Sequence, residues 1–134
     1  RLRAVNQAPF SAFVRLPSST LMSLSPERFL LVNNSEVETK PIKGTRQRQA
    51  DLAADRAMAK ELLSAEKDRA ENLMIVDLLR NDLSKHCKPH SVVVPSLFAL
   101  ESYPAVHHMV STIKGSLADN ASVYTLLKTL GKPP

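Results

Sequence analysis

Glu27 and Lys43 flank the turn signal Asn33-Asn34-Ser35, which separates two β-prone runs at residues 27–32 and 36–42. A hairpin turning near Asn34 and Ser35 sets Glu27 opposite Ile42 or Lys43, so it brings a carboxyl and an amine together. Side chains alternate along a strand, so Glu27 is expected to share a face with Phe29 and Leu31. A carboxyl on an apolar face holds its proton more tightly, which a general acid needs. A lysine set among other cations gives up its proton more readily, which a nucleophile needs. The same two residues also read as a cross-strand ion pair at a hairpin end.

Three further groups of residues carry chemical potential. Glu71 precedes an apolar stripe of Leu73, Val76 and Leu79, with Met74 and Leu78 beside it. A carboxylate at the margin of a buried face can bind a hard cation such as magnesium, and it reads equally as a solvated helix charge. Asp77, Arg80, Asn81 and Asp82 follow and read as a polar network closing the helix end. Glu101 precedes His107 and His108; in a strand His108 shares a face with Val106, Val110 and Thr112, and one of the two histidines is expected to point inward. His86, Cys87 and His90 are three potential zinc ligands, but their spacing fits no standard motif and a fourth ligand is missing.

These residues need elements to hold them. Residues 10–16 and 20–24 read as strands around the turn signal Pro17-Ser18-Ser19. Residues 47–83 hold no Gly or Pro and read as two helices, with a break near residues 64–67. Residues 92–94, 97–101 and 106–113 read as strands, and residues 122–130 as a short helix. Strands, then helices, then strands predict an α+β fold: a mainly antiparallel sheet with helices packed on one face.

Composition narrows the function classes. The 134 residues are 43% hydrophobic and 23% charged, which fits one globular domain or a piece of one and argues against disorder. No apolar run reaches the roughly 18 residues that a membrane helix needs, and no signal peptide opens the chain. No membrane association is expected. The chain starts at Arg1 rather than Met, so its N-terminus is expected to be cut. The single cysteine excludes an internal disulfide and fits a reducing compartment. A cytoplasmic location is therefore expected, with the plastid as the alternative in a plant.

The net charge is +5. The basic excess lies in residues 1–48 and again after residue 82, while residues 49–82 are acidic on balance. The basic cluster Lys40, Lys43, Arg46 and Arg48 suits an anionic partner such as a phosphate or a small polycarboxylate. Two Tyr, four Phe and no Trp give little support to base stacking, so nucleic acid is not expected as a partner. With three glycines and no G-x-G-x-x-G or P-loop motif, the common nucleotide-binding folds are unsupported.

Four ordered motifs carry a resemblance. They are Ser25-Pro26-Glu27-Arg28-Phe29, then Pro41-Ile42-Lys43-Gly44-Thr45-Arg46, then Ala70-Glu71-Asn72-Leu73-Met74-Ile75-Val76-Asp77-Leu78-Leu79-Arg80-Asn81-Asp82, and lastly Glu101-Ser102-Tyr103-Pro104-Ala105-Val106-His107-His108-Met109-Val110-Ser111-Thr112-Ile113. Over residues 4–118 the chain resembles the chorismate-binding enzymes, and within them the aminodeoxychorismate synthase component I branch. Lys43, Asn72 and the run Asn6-Gln7-Ala8-Pro9-Phe10-Ser11-Ala12-Phe13 carry that second likeness. Anthranilate synthase component I, of tryptophan biosynthesis, is the alternative within the family.

The resemblance implies that chorismate and ammonia from glutamine become 4-amino-4-deoxychorismate, a precursor of 4-aminobenzoate and folate. It implies Lys43 as nucleophile, Glu27 as acid, Thr45 and His108 as substrate-binding residues, and Glu71 as one magnesium ligand. Pro9, Phe10, Ser11, Ala12 and Phe13 match a segment that binds tryptophan in some relatives. The implied partner is a glutamine amidotransferase subunit or a fused glutaminase domain. Family domains continue for about as many residues again. Residues 1–134 are therefore expected to form the N-terminal part of an incomplete chorismate-binding domain that is inactive alone. From another class, a non-catalytic truncated isoform that binds a partner is the competing expectation.

Overall fold

The computed structural model describes residues 8–130. Asn6, Gln7 and the ending Gly131-Lys132-Pro133-Pro134 lie outside the described residues. Strands β1 (Phe10–Arg15) and β2 (Thr20–Ser25) form a two-stranded antiparallel sheet of their own. Its turn falls at Pro17-Ser18-Ser19, where the Leu16 N–H donates to the Ser19 carbonyl at 2.8 Å.

The second hairpin joins β3 (Leu31–Asn33) to β4 (Glu36–Thr39). Asn34 and Ser35 turn it with φ of 47° and 67°, a left-handed geometry that Asn tolerates well. Leu31 stands opposite Glu38 and Val32 opposite Val37, so continuing the register sets residue 27 against residue 42. The first run is nevertheless shorter than the sequence predicts. Residues 27–30 are irregular, and Phe29 and Leu31 are exposed, so the expected apolar strand face around Glu27 is not formed.

The second run is broken at Lys40 and Pro41, and β5 (Ile42–Gln47) starts anew. Proline cannot donate to the ladder. The pairing survives through its carbonyl, which accepts from the Ser111 N–H at 3.2 Å. β4 and β5 thus lie end to end along one edge of β7 (Val106–Ser116), and β6 (Val93–Ser102) lies along the other. The five-stranded sheet is antiparallel throughout. The two separate strands expected at residues 92–94 and 97–101 are one strand with two register shifts. Pro95 and Phe98, the latter at φ 56°, sit where those shifts fall.

Helices α1 (Leu52–Ser64) and α2 (Glu66–Ser84) pack on the sheet, both touching β5, β6 and β7. The Asp51 carboxylate caps α1 by accepting from the Ala54 N–H at 2.8 Å, so the helix starts later than residue 47. Ala65, extended at ψ 105°, breaks the two helices where the sequence predicts. The short helix α3 (Val123–Leu130) buries Leu126 beside Val37, Val76, Leu83, Ile113 and Leu117.

The phase of α2 departs from the expected stripe. Its buried positions are Asn72, Val76 and Leu83, while Leu73 and Met74 are 44% and 63% exposed. A buried polar residue leads the true core face. Hydrophobic periodicity alone therefore points to the wrong side of the first turn.

Candidate active site

The site is built on a bulge. Ile42 pairs with Val110, but Thr45 pairs with His108, so β5 carries one residue more than β7 between them. That extra residue falls at Lys43 and Gly44, and Gly44 has φ +87°. A Cβ there would lie 2.8 Å from Leu62 Cδ1 and 3.0 Å from Asp68 Cβ, so glycine is needed both for the φ and for the close approach of the helices. Regular alternation sends residues three apart to opposite faces. The bulge instead lets Ile42 and Thr45 both meet their β7 partners on the face turned away from the helices.

Glu27 reaches this point from the irregular segment before β3. Its backbone is folded by Ser25, whose Oγ accepts from the Glu27 N–H at 3.2 Å and donates to the Glu27 carbonyl at 2.9 Å. The Lys43 charge and the Ile42 backbone N–H both act on the Glu27 carboxyl, but no salt bridge joins Glu27 to Lys43. Glu27 is exposed as a residue, but partial desolvation of its carboxyl raises its pKa above the ordinary value; the Lys43 charge and the Ile42 N–H oppose that shift without cancelling it. Glu27 and Lys43 thus share a neighbourhood, through a bulge and a folded segment rather than a continuous hairpin, without the direct ion pair that the hairpin register suggests.

The face continues onto β7 and β6. Thr45 Oγ1 lies 2.8 Å from His108 Nδ1, and the Tyr103 ring is tilted against the His108 ring at 5.7 Å between centroids. Tyr103 donates to Glu101 Oε2 at 2.9 Å, and Lys40 donates to the other Glu101 oxygen. Burial lowers the His108 pKa, with the Glu101 charge working against it. Burial pushes the Glu101 carboxyl up, but the bonds from Lys40 and Tyr103 outweigh this and leave it below its ordinary value. Lys40 and Tyr103 carry no signal in the reading of single motifs. Lys40 hides in a basic cluster, and Tyr103 becomes visible only once Glu101 is set opposite His108.

Both histidines of the pair are buried, on opposite faces. The sequence leads to one inward histidine; the structure buries both. His107 faces the helices, with Nε2 3.1 Å from Asp55 Oδ1 and Nδ1 2.7 Å from Ser102 Oγ.

The rest of the expected basic cluster is not free. Arg46 is held by Glu61 at 2.6 Å and Asp68 at 2.9 Å, and Arg48 by Asp55 at 2.8 Å. These partners belong to α1 and α2, so the acidic middle segment meets the basic first one across the sheet. Arg46 and Arg48 act in packing, not in binding an anion.

Glu71 sits half-buried on α2 with Lys67 at 3.9 Å. Among the described residues no three His, Cys, Asp or Glu side chains gather where they could hold a metal ion. A magnesium ion takes about six oxygens, so one carboxylate does not make a site, and any cation here would need oxygens from elsewhere. His86 bonds to Thr129 and Cys87 is buried in the core, so the zinc spacing forms nothing. Asp77 and Arg80, and Asp82 and Lys85, form local ion pairs on α2 in place of an end-capping network. Of the tryptophan-matching segment, Phe10 lines a small cavity with Arg28, Lys40, Glu101 and Tyr103, while Phe13 is 61% exposed.

Residues 1–131 match the family of chorismate binding enzymes. The chain is 53% identical over 128 residues to aminodeoxychorismate synthase component 1 of Salmonella typhimurium, covering 96% of this chain and 28% of that protein. It is 42% identical over 126 residues to anthranilate synthase component 1 of Saccharolobus solfataricus, covering 94% of this chain and 30% of that protein. Among solved structures, anthranilate synthase component I from Streptococcus pneumoniae superposes with a TM-score of 0.81 at 33% identity, over 96% of this chain and 27% of that one. The chain thus spans under a third of each of these proteins. No helix among the described residues is long and apolar enough to cross a membrane.

Proposed function

The chain belongs to the chorismate-binding enzymes, and we propose that the intact protein carrying it is an aminodeoxychorismate synthase component I. The observation that carries this reading is Lys43 on a glycine bulge, with the Glu27 carboxyl near enough to feel its charge. The neutral Lys43 amine attacks carbon 2 of chorismate, both ring double bonds shift one place, and the hydroxyl leaves carbon 4 as water with the proton that Glu27 holds; the lysine nitrogen then returns a proton to Glu27. Ammonia then adds at carbon 4, both double bonds shift back, and the Lys43 amine leaves carbon 2 with a proton from Glu27, which the new ammonium at carbon 4 replaces. The product is 4-amino-4-deoxychorismate. A nucleophile and an acid held against one ring gain most of their effect from position, and the bulge and the Ser25 turn supply that position.

Thr45 and His108 line the ring site in this proposal, and Glu71, carried on α2, would contribute one oxygen to a magnesium ion. When bound, magnesium would hold the substrate's ring carboxylate. Ammonia comes from a glutamine amidotransferase subunit or a fused glutaminase domain. Pro9, Phe10, Ser11, Ala12 and Phe13 form a tryptophan-binding edge, with Phe10 the member nearest the site. Residues 1–134 alone turn over no chorismate, because they supply one carboxylate for the cation.

The test is the intact protein with chorismate, magnesium and ammonium chloride as the nitrogen source, with the product identified by mass. The expected product is 4-amino-4-deoxychorismate, and Lys43→Ala abolishes it. Anthranilate as the product would move the protein to the other branch. Undiminished turnover by Lys43→Ala would remove the mechanism.

A further inference from the structure

The helix-facing side of the β6–β7 turn holds a charged network that the proposed chemistry does not use. Asp55, on the first turn of α1, is 6% exposed and His107 is 3% exposed. Arg48 Nε donates to Asp55 Oδ1 at 2.9 Å and to Oδ2 at 3.0 Å, and the Gln49 N–H donates to Oδ1 at 2.8 Å. His107 Nε2 lies 3.1 Å from the same Oδ1, and His107 Nδ1 lies 2.7 Å from Ser102 Oγ. Arg48 also donates to the Tyr103 carbonyl at 3.0 Å, and its own N–H donates to the Ala105 carbonyl at 3.0 Å. One carboxylate therefore ties both ends and the middle of the turn between β6 and β7 to α1.

The opposite side of that same turn carries the site. Ser102 pairs with His107, and the neighbouring pair is Glu101 with His108. Ser102 and His107 face Asp55, so Glu101 and His108 face Thr45, Lys40 and the Tyr103 ring. A shift of the turn on the helix side is a shift of His108 on the site side. Ser102, His107 and Asp55 have the atom order of an activated hydroxyl, but the Asp55 charge is already matched by Arg48, which makes the chain a tether.

We propose that Asp55 is a positioning residue: through Arg48, His107 and Ser102 it sets the β6–β7 turn so that His108 stands at Thr45 on the substrate face. The proposal rests on the reading of that face as the chorismate site.

The experiment is a double-mutant cycle on kcat/KM for chorismate amination, in the intact protein with ammonium chloride. Asp55→Asn is expected to lower kcat/KM by about 10- to 100-fold, the scale of a misplaced reacting group. In a His108→Gln background the same substitution is expected to cost less than threefold, because the group it positions is gone. Ser102→Ala, which removes only the outer bond, is expected to show the same non-additivity with a smaller first effect. It answers the question if Asp55→Asn does not fold. Independent, multiplying effects of Asp55→Asn and His108→Gln would overturn the proposal, since a residue that only supports the fold couples to no particular site residue. A His108→Gln protein with unchanged kcat/KM would instead overturn the reading of the substrate face, and the proposal with it.

Discussion

Glu27 is the residue whose environment separates a working carboxyl from an ornamental ion pair. A direct surface pair with Lys43 would hold the carboxyl ionised, yet its pKa lies above the ordinary value because partial desolvation of the carboxyl outweighs the lysine charge. The raised folded pKa means that folding favours the protonated form. Any stability this contributes is present below the unfolded value of about 4.3 and is lost as pH rises through the folded value. At pH 7 the ionised Glu27 works against folding, so Glu27→Gln should leave the intact protein as stable as before, or more so. The same substitution removes the proton that the leaving hydroxyl needs, and chorismate turnover should fall by about 100-fold or more. Equilibrium unfolding at pH 7 and the amination assay, run on one preparation, check both halves. A destabilised but active Glu27→Gln would return the residue to a structural ion pair. Asp55 has the reverse sign. The Arg48 guanidinium, helped by the Gln49 N–H and His107, holds its carboxyl well below the usual range. Its contribution is therefore present above the unfolded carboxylate value and fails only in strong acid, as pH falls through the folded value.

Strand β5 is the element on which the site depends, and Gly44 is its weak point. Alanine there meets both a φ of +87° and a Cβ only 2.8 Å from Leu62. The left-handed geometry costs about 1–2 kcal/mol and the overpacking about 1–3 kcal/mol, unless the bulge is lost. Gly44→Ala should therefore lower the stability of the intact protein by roughly 2–5 kcal/mol. Because the bulge aims Lys43, turnover should fall further than stability requires under conditions where the protein is still folded. Urea unfolding alongside the amination assay separates the two effects, and a stable, active Gly44→Ala would show that β5 needs no bulge. This element also shows what a sequence discloses. The hairpin register was legible, since continuing the pairs around Asn34 and Ser35 sets residue 27 against residue 42. The bulge is announced only by a glycine inside a strand, a mark too common to fix its place. The two helices were legible because residues 47–83 lack Gly and Pro, and the break at Ala65 falls inside the expected window of residues 64–67. The phase of α2 was not, because Asn72 owes its burial to partners far away in sequence, the Met109 carbonyl and Ser111 Oγ. Arg46 and Arg48 look like ligands for an anion until the fold sets α1 and α2 against them. Charge totals do not reveal such pairing.

At the scale of the whole molecule, exposed apolar side chains occur on several elements, and among the described residues the β1–β2 hairpin carries a dense run of them. Phe10, Phe13, Val14, Leu21, Met22 and Leu24 are all exposed, Met22 at 75%. Phe10, Val14 and Leu21 lie on one face of that hairpin while Phe13, Met22 and Leu24 lie on the other, so packing against a single layer cannot cover both. An isolated two-stranded hairpin is at best marginally stable in water, whereas this one carries enough apolar surface on each face to sit between two layers. The relatives are more than three times as long as the segment they share with this chain, so in a protein of that length there is chain enough to supply both layers. The expected consequence is a contrast in backbone amide exchange. In the intact protein the β1 and β2 amides should exchange as slowly as those of β7, whose residues 107–111 are buried. In residues 1–134 expressed alone, β1 and β2 should exchange within the dead time while the β7 amides stay protected. Equal protection of the hairpin in both would mean that it holds itself, and that its two apolar faces serve some surface other than the rest of its own protein.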